Sequence, residues 1–344
     1  MTKKTEVRRP VLVVLGMHRS GTSTMTRVLN MLGAQVPKTL MDPNTSNEKG
    51  YWESYPVSVL NDDIFMSGGS DWKDWHAFQP RWYETGEPER FKARALDLMR
   101  TEFNDSPLLV FKDPRVCRLY PFWEQVFKDS SMDPRVILPL RHPSEVAASL
   151  KKRDGMPIVQ GLLLWLRNVL DAEHASRSTK RAVVSYNGFM TQPVALATSL
   201  QDSLDLVWPR LSPKVMEEIE DYVDPSLRHH TAPGQGKYTT APILRSWIDT
   251  VYGILSNWSG NGENEADYPA LDHIRQAFDD MGDPLRDIVA NIAEQNAKIN
   301  TLQAALDARD ADHKATEDAR QQLAQENDTL QAALDARDAE FQAI

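Results

Sequence analysis

Residues 11–29 read VLVVLGMHRSGTSTMTRVL. The apolar run Val11–Leu15 has the composition of a buried strand, and it stops at Gly16. A second glycine, Gly21, follows five positions later, and a helical apolar pattern, Met25–Leu32, begins directly after it. Strand, glycine-bounded loop and helix in that order make a phosphate cradle, because the loop leaves the first amides of the helix pointing at an anion. A nucleoside-triphosphate loop would read GxxxxGK[ST], whereas here Thr22 takes the lysine's place and the cation, Arg19, lies inside the loop. A Walker lysine reaches β- and γ-phosphates. A cation inside the loop sits beside the bond that leaves a shorter donor.

Further strand-like runs occur at Leu108–Phe111, Val136–Leu140 and Ala182–Ser185, separated by helical patterns such as Glu145–Lys152 and Ile158–Ala175. This alternation predicts an α/β fold, a parallel sheet flanked by helices. Ligands in such sheets bind beyond the carboxyl ends of the strands, so the residues that follow each strand carry the function. After Val136–Leu140 comes Arg141-His142-Pro143-Ser144-Glu145-Val146-Ala147-Ala148-Ser149. Pro143 suits the first turn of a helix, which leaves Arg141 at the end of the strand and Ser149 two turns along. An arginine fork there suits a phosphate monoester.

The two motifs together, in this order and each behind a strand, resemble the superfamily of sulfotransferases that use 3′-phosphoadenosine 5′-phosphosulfate (PAPS). The resemblance runs over roughly residues 8–200 and takes in VVSYNGF, where the family often has a strand ending in a tyrosine. It implies a P-loop-like fold in which Arg19, Ser20, Gly21, Thr22, Ser23 and Thr24 bind the 5′-phosphosulfate, while Arg141 and Ser149 bind the 3′-phosphate. NEKGYWES and LLVFKDPRVCRL look like segments of the bacterial and tyrosylprotein branches, and they place Glu53 and Lys112 near the donor. Sulfuryl transfer needs a base for the acceptor and cations for charge building on the leaving phosphate, which makes Glu53 the candidate base and Arg19 with Lys112 the candidate cations. Glu53 has an equal alternative as an ion-pair partner that holds the loop. His18, His76 and His142 are lesser candidates for the base, Arg115 pairs either with the donor or with Asp113, and Arg228 with His229 could close over the nucleotide. Trp72, Trp75, Trp82 and Tyr83 crowd one irregular stretch, either as an acceptor site or as a local core. A small-molecule or glycan acceptor is implied, and no metal.

Two rivals share part of this pattern. A nucleotide or small-molecule kinase has the same strand, loop and helix but requires the missing lysine. A non-catalytic scaffold would keep the fold and act through its tail.

Composition fits an enzyme. The 344 residues are 41% hydrophobic and 26% charged. The net charge of −10 argues against nonspecific binding of nucleic acid. The N-terminus, basic and then apolar, is too short in its apolar part for a signal peptide, and no stretch approaches the roughly 20 apolar residues of a membrane span. A lone cysteine, Cys117, fits a reducing compartment, so the expected location is the cytoplasm.

Residues 1–284 are expected to form the catalytic domain and residues 285–344 a helical coiled-coil tail. The tail carries 6 Lys/Arg and 12 Asp/Glu, leaving 33 and 37 in the body, so most of the acidity belongs to the tail. TLQAALDARDA occurs at 301–311 and again at 329–339, an offset of four heptads. In that phase Ile288, Ile292, Ile299, Leu302, Leu306, Leu323, Leu330, Leu334, Phe341 and Ile344 share one seam, with Arg309, His313, Thr316 and Arg320 as a polar centre. Such a tail is expected to pair with a second copy of the chain or with another protein, the alternative being a solitary solvated helix or a partly disordered tail.

Overall fold

The computed structural model describes residues 8–44, 47, 49–103, 105–223, 239 and 241–342, with the side chains of 283–290, 292, 293 and 340–342 left aside. Arg228 and His229, and the side chains of Ile288, Ile292, Phe341 and Ile344, therefore lie outside the described residues. The chain divides into two compact units, residues 1–280 and 281–344.

The first unit is built on four parallel strands, β1 (Arg9–Val14), β2 (Leu109–Lys112), β3 (Met132–Leu140) and β4 (Arg181–Ser185), in the order β2-β1-β3-β4. The register sets Val13 beside Phe111 and Val136, and Leu140 beside Ser185. Val11 and Val13 enter one core with α2 (Tyr55–Ser67), α3 (Glu87–Glu102) and α4 (Val116–Asp129). Leu12 and Val14 enter another with α1 (Thr22–Met31), α7 (Tyr186–Thr191), α8 (Pro193–Leu204) and α9 (Pro213–Tyr222). Helices on both faces explain why β1 reads as an unbroken apolar run rather than an alternating one.

β3 starts four residues earlier than its apolar run, at Met132, and carries Pro134 and Pro139 in a central strand. Pro139 lacks the ladder donor, and its ring packs where a side chain on Gly16 would otherwise stand. α5 (Pro143–Asp154) and α6 (Ile158–Ala175) follow β3, and α10 (Pro242–Asn261) lies against β4. α11 (Tyr268–Gln342) begins with Leu271, Ile274 and Phe278 buried. The described part of the second unit is helix throughout. There Ile299, Leu302, Leu306, Leu323, Leu330 and Leu334 are between 41% and 69% exposed. No helix among the described residues is long and apolar enough to cross a membrane.

Candidate anion-binding site

The connection leaving β1 leads to β2 on one side, and the connection leaving β3 leads to β4 on the other. The crevice between the ends of β1 and β3 is therefore the switch point of the sheet. Both anion motifs open into it. The loop after β1 turns with Arg19 at φ 69° and Gly21 at φ 83°, which gathers successive amides on one side. No side chain caps α1, so its first turn is left open to an anion. Ser20 and Thr22 are buried, while Ser23 and Thr24 are half-buried in the first turn.

The loop and the second motif are bonded to each other. Arg19 donates from Nε to Ser149 Oγ at 2.8 Å, and Arg141 donates from Nη1 to the Arg19 carbonyl at 3.0 Å. Arg141 also donates to Glu145 at 2.9 Å, one turn along α5, and its guanidinium lies 4.4 Å from the centre of the Tyr186 ring. Burial and the charges of Arg153 and Arg141 lower the proton affinity of Arg19. Arg141 is paired with Glu145 and Arg153 with Asp154, while the charges of Arg153 and Arg141 both act on Arg19.

A second cluster meets the loop from β2. Lys112, 5% exposed, donates to Ser23 Oγ at 3.2 Å and to the Tyr51 carbonyl at 3.0 Å, and it pairs with Glu53. Glu53 is 3% exposed; burial raises its carboxyl, and Lys112 only partly offsets this. Ser23 in turn donates to Tyr51 O and accepts from Asn47. Glu53, Lys112 and Ser23 thus form one contact group although 30 and 89 residues of chain separate them from Ser23.

The remaining candidates are dispersed. Arg115 is bound by Asp62 at 2.6 Å and by Asp113, so both its carboxylate partners belong to the protein. His76 is buried and bound to Asp74, and His142 caps α5 through Ser144. His18 packs its ring 4.7 Å from Trp72; its Nε2 is buried with no partner among the described residues, and burial with Arg115, Arg153, Lys112 and Arg19 keeps the imidazole neutral. Of the aromatic group, Trp75 and Trp82 are core residues, and Trp82 donates to Ser67. The acceptor reading is therefore corrected for both, since they are spent on packing; Trp72 is half-buried against that core, beside His18 and Arg153, and Tyr83 is 37% exposed.

Two further residues make contacts here: Arg153, which the sequence reading did not single out, and Tyr186, the tyrosine of VVSYNGF. Arg153 lies four positions beyond Ser149 on α5, and this i,i+4 spacing could have found it. Tyr186 closes over Gly21: a Cβ on that glycine would stand 2.5 Å from the tyrosine ring. With its positive φ as well, Gly21→Ala is expected to cost about 1–3 kcal/mol, read as a lower thermal midpoint. An unchanged midpoint would show that the contact yields.

No family model matches the chain, and no curated protein matches it in sequence. Among solved structures it is similar to the sulfotransferase domain from the olefin synthase of Synechococcus PCC 7002, at 15% identity and a TM-score of 0.42, over 74% of this chain and 98% of that one. It is also similar to the sulfotransferase domain from the curacin biosynthetic pathway, at 14% identity and a TM-score of 0.34, over 75% of this chain and 93% of that one. Both of those chains are sulfotransferase domains.

Proposed function

We propose that this chain is a PAPS-dependent sulfotransferase that transfers a sulfuryl group to a hydroxyl, or an amine, of a carbohydrate or another biosynthetic intermediate. The observation that carries the reading is the bond from Arg19 to Ser149, which joins a phosphate loop lacking the Walker lysine to an arginine–serine site at the switch point. The residues suit such a donor: loop amides and Ser20–Thr24 for one anionic end, Arg141 and Ser149 for the other, and Arg19 with Lys112 near the bond to be broken. PAPS supplies a sulfuryl group on a leaving phosphate.

In this reading the acceptor oxygen or nitrogen forms the new bond to sulfur as the sulfur–oxygen bond to the phosphate breaks, and Glu53 takes the acceptor's proton. The raised carboxyl of Glu53 favours that step. Once neutral, Glu53 would leave the Lys112 charge uncompensated next to Ser23, where negative charge collects. We assign half-buried Trp72, beside His18, to the acceptor side. We assign catalysis to residues 1–284 and homo-oligomerisation to residues 285–344. The single buried thiol, Cys117, suits a cytoplasmic setting.

Calorimetry with 3′,5′-bisphosphate product (PAP) and turnover of PAPS over a panel of acceptors test the reading. Binding of PAP at micromolar levels and metal-independent release of PAP are expected. ATP turnover requiring Mg²⁺ would replace the reading with a kinase, and absence of PAP binding would replace it with a scaffold. Arg141→Ala is expected to raise the KM for PAPS by about 10- to 10²-fold, the value of one or two charge-assisted hydrogen bonds. An unchanged KM would remove Arg141 from the donor site.

A further inference from the structure

The two copies of TLQAALDARDA are identical, but the seam residue two positions before each differs: Ile299 precedes the first and Asn327 the second. Both occupy an a position of the heptad. The leucines behind them, Leu302 and Leu306 in one copy and Leu330 and Leu334 in the other, are exposed on α11. A lone helix would leave this seam in water, so it calls for a partner helix with matching spacing.

A second copy of this chain has that spacing in more than one alignment. In a parallel, in-register pair, Ile299 and five leucines, 302, 306, 323, 330 and 334, each meet their own counterpart. In an antiparallel pair that lays Leu302 on Leu334 and Leu306 on Leu330, only those leucine layers survive, since Leu323 then faces His313 and Ile299 faces Arg337. The third alignment is created by the repeat itself. A parallel slip of 28 residues lays Leu302 on Leu330 and Leu306 on Leu334, and it is head-to-tail, so each copy keeps one half open and assembly continues without closure.

Asn327 separates the two parallel alignments. In register it faces the Asn327 of the other copy, and paired amides satisfy one another; in the slipped register it faces Ile299, and a buried amide is left unpaired. The polar centre does not forbid the in-register pair, because Arg309 has Asp310 at 3.6 Å and Arg320 has Glu317 at 3.9 Å on their own helix. We propose that α11 pairs with α11 of a second copy, parallel and in register, and that Asn327 is the residue that excludes the 28-residue slip and so keeps the assembly a closed dimer. This rests on the assignment of the tail to oligomerisation and is independent of the donor-site reading.

The full-length chain suffices for the test. Cys117 is buried and burial holds its proton, so introduced thiols report alone. Light scattering is expected to give a dimer, and Leu330→Cys is expected to oxidise to a 330–330 disulfide. A mixture of Leu302→Cys and Leu330→Cys chains is expected to give no 302–330 disulfide. Adding Asn327→Ile to both should make that disulfide appear, with a mass that grows beyond two chains as concentration rises. A monomer would overturn the pairing together with the tail assignment. In a mixture of Leu302→Cys and Leu334→Cys chains, a dimer joined by a 302–334 disulfide would overturn the parallel orientation. A dimer in which Asn327→Ile yields no 302–330 link would overturn the role of Asn327 alone.

Discussion

Arg19→Ala is expected to lower PAPS turnover by about 10³-fold or more while leaving the thermal midpoint within a few degrees of the wild type. The magnitude follows from the value of a transition-state arginine in phosphoryl transfer, about 10³ to 10⁵ in rate. The small structural cost follows from its setting: Arg19 is half-buried, and one bond that its side chain makes is to Ser149, itself part of the site. Its positive φ also makes the side chain a local liability that alanine shares rather than worsens. Single-turnover kinetics with saturating PAPS would separate the rate from binding. Retention of more than a tenth of the wild-type rate would sink the sulfotransferase reading, since no other cation lies inside the loop.

Glu53→Gln carries the second large effect, a fall of about 10² to 10⁴ in kcat with PAP affinity nearly unchanged, as expected for loss of a general base. The same substitution removes one partner of a buried ion pair, and breaking such a pair costs about 3–5 kcal/mol when the other charge stays buried and uncompensated. Stability therefore falls in either reading, and kinetics have to be read together with calorimetry. Lys112→Met in the Glu53→Gln background removes the stranded charge. Because Lys112 is itself assigned to the leaving phosphate, that double variant reports stability alone; in Glu53→Gln, loss of PAP binding would point to an ion pair that holds the loop, whereas loss of kcat with PAP binding kept would point to the base.

Much of the sheet was legible because its strands are apolar on both faces. Val11–Leu15, Leu108–Phe111, Val136–Leu140 and Ala182–Ser185 correspond to β1, β2, β3 and β4. The start of β3 was not legible, since Pro134 argues against a central strand and is accommodated only by what surrounds it. α4 escaped for a related reason. Pro121 interrupts its helical pattern, and the helix persists because Leu119, Tyr120, Trp123 and Phe127 are buried in the core beneath β1 and β2.

Legible in the residues alone were the parallel α/β class, the glycine loop with its internal arginine, the arginine–serine pair behind a second strand, and the heptad spacing of the tail. Each is assembled from local patterns of fewer than about ten residues, repeated along the chain, where chain geometry dictates which groups share a face. Folding settled that Arg19 meets Ser149 across 130 residues, that Lys112 stands between Glu53 and Ser23, and that Tyr186 closes over Gly21. It also decided that Trp75 and Trp82 are core and that Arg115 is held by Asp62 and Asp113. Those outcomes depend on strand order and on which charges are sealed from water together, and neither follows from spacing along the chain, because a burial cost is set by neighbours that the fold supplies.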